Sequence, residues 1–291
     1  MKKYLLLLAA CCLTSAIQQI HAQVEKNVLY KVAIGDFSYT PKEDKEEKPV
    51  RAIIRGLAKQ AVSGKTTTQQ PDYANDVQAS IVKGFGNVVR FRAIEGDFYQ
   101  GEIGEDEPAF YVDGNIANIS TTTRTNKAKD KQAEQQYSTL ISVTINLKDV
   151  HTEEMVDSRM FSIREGDCGW MSSAEQSISS SLSSLAIHIA EYYNNMFPLS
   201  ASIIERGEIK KKKQKTVYID LGSKFEAYKG QQFDIFSLKT IAGKEARIEI
   251  GRLKIDEVLG EDISLCKVTR GEEEVKEALD GGATLIVITR D

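Results

Sequence analysis

The chain is poor in the residues that most chemistry requires. Four cysteines and three histidines serve 291 residues, and Cys11, Cys12 and His21 fall within the first 22. What remains is Cys168, Cys266, His151 and His188. A zinc site takes three or four ligands from His, Cys or carboxylate; only His151, near Glu153, Glu154 and Asp157, could gather such a set. Those acids sit at a turn between strands, where solvated charge is the ordinary reading. Gly64-Lys65-Thr66 looks like the end of a phosphate-binding loop, but the earlier glycine that motif requires is Lys59 here, and no strand precedes it. Ser177, Ser179, Ser180, Ser181, Ser183 and Ser184 read as the polar face of a helix, outside any G-x-S-x-G elbow. Carboxylate pairs such as Glu105 and Glu107 lie in loop sequence and cannot be assigned acid and base roles. The expectation is a non-enzymatic protein without cofactor or metal.

Other shortages narrow the partners. The formal charge is −4, and about −6 once the two leader lysines are removed, so nothing points to nucleic acid. No apolar stretch reaches the roughly 20 residues of a membrane-spanning helix.

What the chain does have begins at its start. Lys2 and Lys3 precede an apolar run from Tyr4 through Ala10 to about Ile17, and a short polar stretch leads to Ala22 and Gln23. A charged start, an apolar centre of about 7–15 residues and a small-residue exit form a secretory leader. Two processing routes are open. Cleavage after Ala22 would start the mature chain at Gln23. Alternatively, Leu8-Ala9-Ala10-Cys11 resembles a bacterial lipobox, which would lipidate Cys11 and anchor the protein. In the oxidising compartment beyond the inner membrane, Cys168 and Cys266 are a candidate disulfide. Two buried free thiols are the alternative, because pairing cannot be read from sequence.

The rest of the chain alternates between strand and helix grammar. Val28, Tyr30, Val32 and Ile34 predict a first strand, the charged loop PKEDKEEKP follows, and residues 50–62 carry amphipathic helix spacing. Ser63 to Gln70 reads as a polar link. Asp72 is a candidate N-cap for a helix through Val77, Ile81, Val82 and Phe85, ended by Gly84 and Gly86. Strands are expected at 88–94, 110–119, 137–150 and 155–163, with a polar, mobile link over 120–136. Ser172 and Glu175 suggest a capping box for a long helix ending before Pro198. Trp170, at the turn into that helix, reads as a plug of the sheet–helix layer, with an exposed interface anchor as the alternative. After Arg206 a lysine run (Lys210 to Lys213, with Lys215) precedes short glycine-punctuated strands, the signature of a small barrel or sandwich. The lysines read as a solvated edge or as a contact for phosphate or lipid headgroups. The expected fold class is α+β (α/β sandwich), a mixed sheet covered by helices and followed by a small mostly-β, barrel-like domain. The expected boundaries are 1–22 leader, 23–205 α/β domain and 206–291 β-rich domain.

The order of these elements resembles the CsgG-like family, which includes the curli secretion channel lipoprotein and lipoproteins that activate penicillin-binding proteins. The resemblance covers roughly residues 27–197. It is carried by Val32-Ala33-Ile34-Gly35-Asp36-Phe37, by the helix and strand from Tyr73 to Phe91, and by Tyr111-Val112-Asp113-Gly114-Asn115-Ile116. It implies a periplasmic or outer-membrane-associated assembly or adaptor protein that binds other envelope proteins. Self-association into a homo-oligomer and membrane attachment through a lipid or a partner belong to the same implication. The alternative is a curli-type oligomeric secretion channel. Against a pore, the insertion at 120–136 has almost no apolar residue, whereas a spanning strand needs an apolar outward face.

Overall fold

The computed structural model describes residues 27–40, 65–126, 134–241 and 243–290. The leader, with Cys11, Ala22 and Gln23, and the helix expected over 50–62 lie outside the described residues. The chain divides into two compact units between Pro198 and Leu199, with Asn27 counted in the second.

The first unit is organised by one strand, β5 (Ala109–Asn126), 18 residues long. At about 3.3 Å per residue it extends for roughly 60 Å. Its N-terminal part pairs in parallel with β1 (Tyr30–Ile34), its middle with β2 (Ser38–Tyr39), and its far end antiparallel with β3 (Lys65–Gln69). Along the other edge runs β6 (Glu134–Asp149), joined in turn by β7 (Met155–Ile163). On the outer side of β1 lies β4 (Phe91–Glu95), also parallel, giving the order β4-β1-β5-β6-β7.

Two helices, α1 (Ala74–Gly86) and α2 (Ala174–Met196), cover one face of this sheet. The inward half of the strand alternation supplies Val32, Ile34, Val112, Ile116, Ile119, Ile141, Val143, Ile145, Leu147, Phe161 and Ile163. The helices answer with Val77, Ile81, Phe85, Leu185, Ile189 and Tyr193. Burying a side chain of this kind is worth about 1.5–3 kcal/mol, so this shared layer is what holds helices and strands together. The opposite face, among the described residues, is polar and carries no helix.

Local signals differ from expectation at the helix starts. Pro71 opens a 3₁₀ turn through Tyr73, and α1 begins after it with no side-chain cap, so Asp72 lies inside the turn and not at the N-cap. At α2 the box is shifted one residue: Ser173 Oγ accepts from Gln176 N at 3.2 Å, and Ser172 Oγ contacts Gln176 Oε1 at 2.8 Å.

Within the polar links at 63–70 and 120–136, the described residues are mostly strand. Lys65–Gln69 and Ser120–Arg124 pair residue by residue, and β6 already begins at Glu134. Threonine is a strong strand former, and here its hydroxyls satisfy one another. Thr67 Oγ1 lies 3.0 Å from Thr122 Oγ1, Thr121 Oγ1 lies 3.0 Å from Thr139 Oγ1, and Thr139 Oγ1 lies 2.8 Å from Ser177 Oγ. Ser181 Oγ donates to the Thr139 carbonyl at 2.9 Å. Ser177 and Ser181 are thus buried against the sheet, while Ser179 and Ser183 face solvent. Buried hydroxyls must find partners, and this ladder provides them.

The second unit is a closed six-stranded barrel in the order β11-β14-β13-β12-β15-β8. Its staves are β8 (Ser200–Arg206), β11 (Thr216–Ile219), β12 (Gln232–Ile241), β13 (Lys244–Val258), β14 (Ser264–Arg270) and β15 (Leu285–Thr289). Val217, Ile219, Phe233, Ile235, Leu253, Ile255, Cys266, Val268 and Val287 are buried. Because β8 is a stave, the unit starts at Leu199 and not at residue 206. The lysine run forms a hairpin of β9 (Ile209–Lys210) and β10 (Lys213–Gln214), with Lys211 and Lys212 at φ +49° and +62° in its turn. Lys213 pairs with Glu273 and Lys215 with Glu272, both on α3 (Glu272–Asp280). The coarse expectation of a mixed sheet with helices followed by a small barrel is met.

Gly114 tests the packing of β5. A β-carbon there would lie 1.9 Å from the Thr144 carbonyl oxygen, a backbone atom with no other rotamer to adopt. Gly114→Ala is therefore expected to destabilise the first unit by roughly 1–3 kcal/mol. Trp170 is the single tryptophan and belongs to this unit, so urea unfolding followed by its fluorescence reads it directly. An unchanged midpoint would refute the contact.

Candidate functional site

Parallel strands end side by side, and in open sheets the crevice beyond their carboxyl ends is where ligands collect. Here β1 and β4 finish together at Ile34 and Glu95. The chain leaves them through Gly35-Asp36 and Gly96-Asp97, with Gly35 N donating to Val112 O at 2.9 Å and Gly96 N to Ile34 O at 2.8 Å. Gly35 is required by its neighbour. A β-carbon would sit 2.2 Å from Tyr111 Oη, so only glycine lets the phenol lie across the strand end. Gln78 of α1 fixes the loop from beneath, accepting from Phe37 N at 3.1 Å and donating to Gly35 O at 3.1 Å.

Around Tyr111 stand Asp36, Asp97 and Asp113. Burial pushes the Tyr111 phenol up, and Asp97, Asp113 and Asp36 push it the same way, keeping it protonated. Asp113 is pulled in both directions. Partial burial raises its carboxyl, but hydrogen bonds from Lys148 and Asn146 outweigh that, and the net shift is downward. Asn146 Nδ2 donates to Asp113 Oδ1 at 2.8 Å, and Ser158 Oγ donates to Asn146 Oδ1 at 2.7 Å. The chain Lys148–Asp113–Asn146–Ser158 therefore crosses β5, β6 and β7 on the polar face of the sheet. A cavity of about 350 Å³ adjoins it, lined by Phe98, Tyr111, Lys148, Asp149, Val150 and Glu153. A larger concavity of about 550 Å³ lies on the barrel, where Ile204, Leu259 and Ile263 are rimmed by Glu205, Glu261 and Asp262. It is apolar with an acidic border, carries the phenol of Tyr218 and has no cation comparable to Lys148. The first site offers a protonated phenol, an amide and an ion pair, which suits recognition by hydrogen bonding.

The residues singled out from sequence lie elsewhere. Cys168 and Cys266 are both free thiols in this structure and belong to different units. Cys168 is half-buried, 3.7 Å from the Ser180 carbonyl. Cys266 lies inside the barrel, where burial, with Asp256 nearby, pushes its thiol up to about 12. His151 sits in a turn whose backbone is held by Asp149, and its Nε2 lies 2.7 Å from Glu107 O. Among the described residues no group of three or more His, Cys, Asp or Glu side chains could hold a metal. His188 is exposed on α2. Trp170 is half-buried and outside the core, against expectation. The Arg124 guanidinium lies 3.9 Å from its ring centre and Lys65 Nζ 5.2 Å, so it closes over the cationic end of the β3–β5 ribbon and not over the sheet–helix layer. Lys65 also pairs with Glu165.

Gly35, Asp36, Tyr111 and Asp113 are legible in the sequence only through the family resemblance. Asn146 and Lys148 are not legible there: they are the polar half of a strand whose signal is its apolar half.

No family model matches the chain, and no curated protein does. Among solved structures, it is similar to a Xanthomonas campestris protein of family DUF330, at 11% identity and TM-score 0.33, over 58% of this chain and 86% of that one. It is also similar to a hemagglutinin homolog from Helicobacter pylori, at 13% identity and TM-score 0.30, over 58% and 88%. Likeness at this level assigns no family and no function.

Two measurements check the site and the thiols. Asp113 is expected to titrate below the ordinary aspartate value, and Lys148→Met to move it upward, read by carbon NMR of the carboxyl. Because the folded value is the lower one, the stability it contributes is present above the unfolded value and lost as pH falls through the folded one. Alkylation of the native protein followed by peptide mapping is expected to label Cys168 and to reach Cys266 only in denaturant. Equal labelling of both, or a 168–266 linked peptide, would contradict the structure.

Proposed function

We propose that this protein is an exported, non-catalytic component of the cell envelope, an assembly or adaptor protein of CsgG-like type that binds other envelope proteins. The leader pattern at Lys2 to Ala22 supports export. The observation that carries the binding reading is the sheet face that no described helix covers, where Lys148, Asp113, Asn146 and Ser158 form one hydrogen-bonded row beside the Tyr111 cavity. An ordered polar row next to a shallow cavity is a surface for protein recognition, where polar groups fix orientation and register. The barrel is the second module, with its own apolar groove.

A second reading, a curli-type oligomeric channel in the outer membrane, is favoured by one feature. The β5 and β6 strands, 18 and 16 residues long, exceed the 9–11 residues or so a spanning strand needs. Composition weighs against it, since Ser120–Asn126 and Glu134–Thr139 are polar on both faces.

Fractionation of cells, with the mass of the mature protein, tests the proposal. The expected product is envelope-associated and begins at Gln23, or at a lipidated Cys11, and crosslinking within the envelope recovers a reproducible protein partner. A cytosolic protein that retains residues 1–22 would overturn it. Detergent-resistant rings that conduct in planar bilayers would replace it with the channel reading.

A further inference from the structure

Among the described residues, the sheet of the first unit has an open edge. β7 pairs with β6 on one side, and among the described residues no strand pairs with it on the other. Edge strands are normally blunted by shortness, proline, lysine, bulges or inward-pointing charges; β7 is nine residues long without proline or lysine, its one bulge lies at its start, and it exposes Met155, Val156 and Met160 to 51%, 38% and 63%. One bulge, where the register shifts between Leu147 and Lys148, leaves Val156 without a partner on β6. From Asp157 to Ile163 the strand is regular.

We propose that β7 pairs with the β7 of a second copy, antiparallel and about a two-fold axis through Ser158, so that two sheets become one. The sequence Val156-Asp157-Ser158-Arg159-Met160 is self-complementary about its centre. In this register Ser158 faces itself once, on the axis, while Asp157 faces the other copy's Arg159 and Val156 faces Met160, each of these two contacts occurring twice. Directly opposed residues share a face of the sheet, and a two-fold interface requires such matching of a surface to itself. Neighbouring registers fail: centring on Arg159 or on Asp157 opposes like charges, and centring on Met160 sets Arg159 against Phe161.

The side chains are already disposed for the pairing. Asp157 accepts from the hydroxyls of Tyr192 and Tyr193 at 3.2 and 3.3 Å, and the Arg159 guanidinium lies 4.1 Å from the Tyr192 ring centre. Both therefore point to the helix side. Among the described residues neither has an ion-pair partner, and the second copy supplies one to each. On the polar side Met160 covers the Val156 of its neighbour. This inference needs neither the compartment nor the partner proposed above, and the mass of the purified protein tests it separately.

Sedimentation of the full chain is expected to show a concentration-dependent dimer. Arg159→Asp should weaken it about ten-fold by opposing two carboxylates twice, and adding Asp157→Arg should restore it. Since Asp157 also holds two tyrosines, Met160→Lys is the safer disruptor: it faces solvent in the monomer, so its unfolding midpoint should stay put while the dimer is lost. Ser158→Cys should crosslink to a covalent dimer on mild oxidation, because opposed β-carbons approach disulfide range, and Ser162→Cys should give no more dimer than the wild type. A protein monomeric up to roughly 1 mM, a dimer indifferent to these changes, or equal crosslinking at 158 and 162 would overturn the proposal. So would a β7 edge occupied only by the strand of a different protein.

Discussion

Every peptide group in β5 has to find a hydrogen-bond partner, and the layout of the first unit follows from that demand. A buried backbone N–H or C=O left unpaired costs about as much as a lost hydrogen bond, and β5 presents eighteen residues of them. β6 runs along the whole of one edge, with a single bulge at Ala117, while the other is shared among β1, β2 and β3 in turn. The crevice with Tyr111 arises where the first of these partners ends and the next begins. The gap in pairing at Gly35–Phe37 is bridged by Gln78, which takes over the hydrogen bonds that a strand would have made. The candidate site is thus a consequence of how one long strand is shared.

Much of this was legible beforehand where apolar and polar residues contrast. The alternation Ile141, Val143, Ile145, Leu147 and the stripe from Ile178 to Tyr193 announce a strand and a helix with little ambiguity. The same rule is blind to Lys65–Gln69 and to the distal halves of β5 and β6. There threonine and serine hydroxyls replace aliphatic contacts, so both faces read as polar. Pairing in that ribbon rests on side-chain hydroxyls and on β propensity, which a hydrophobicity pattern does not register.

The site was only half visible for a related reason. Val32 to Phe37 and Tyr111 to Ile116 stood out as family pattern, but their meeting depends on the parallel register of β1 with β5, which places Gly35 under the Tyr111 phenol. Nothing in the spacing of seventy-odd residues encodes that register locally. The lysine run misled in the opposite direction. Its charge looked like a boundary, whereas it is the turn between two adjacent staves, and the barrel had already begun with β8.

That early start governs how the barrel can assemble. β8, its first stave, is hydrogen-bonded to β15, its last, through Ser200–Ser202 and Ile286–Ile288. The seam is stitched by opposite ends of the domain, so ribosomal synthesis cannot deliver a closed cylinder until the final strand has emerged. Up to then β8 and β12 each lack a neighbour, and two sticky flanks stay open to foreign strands. Such late, long-range closure is slow and aggregation-prone, which makes β15 a kinetic checkpoint out of proportion to its length.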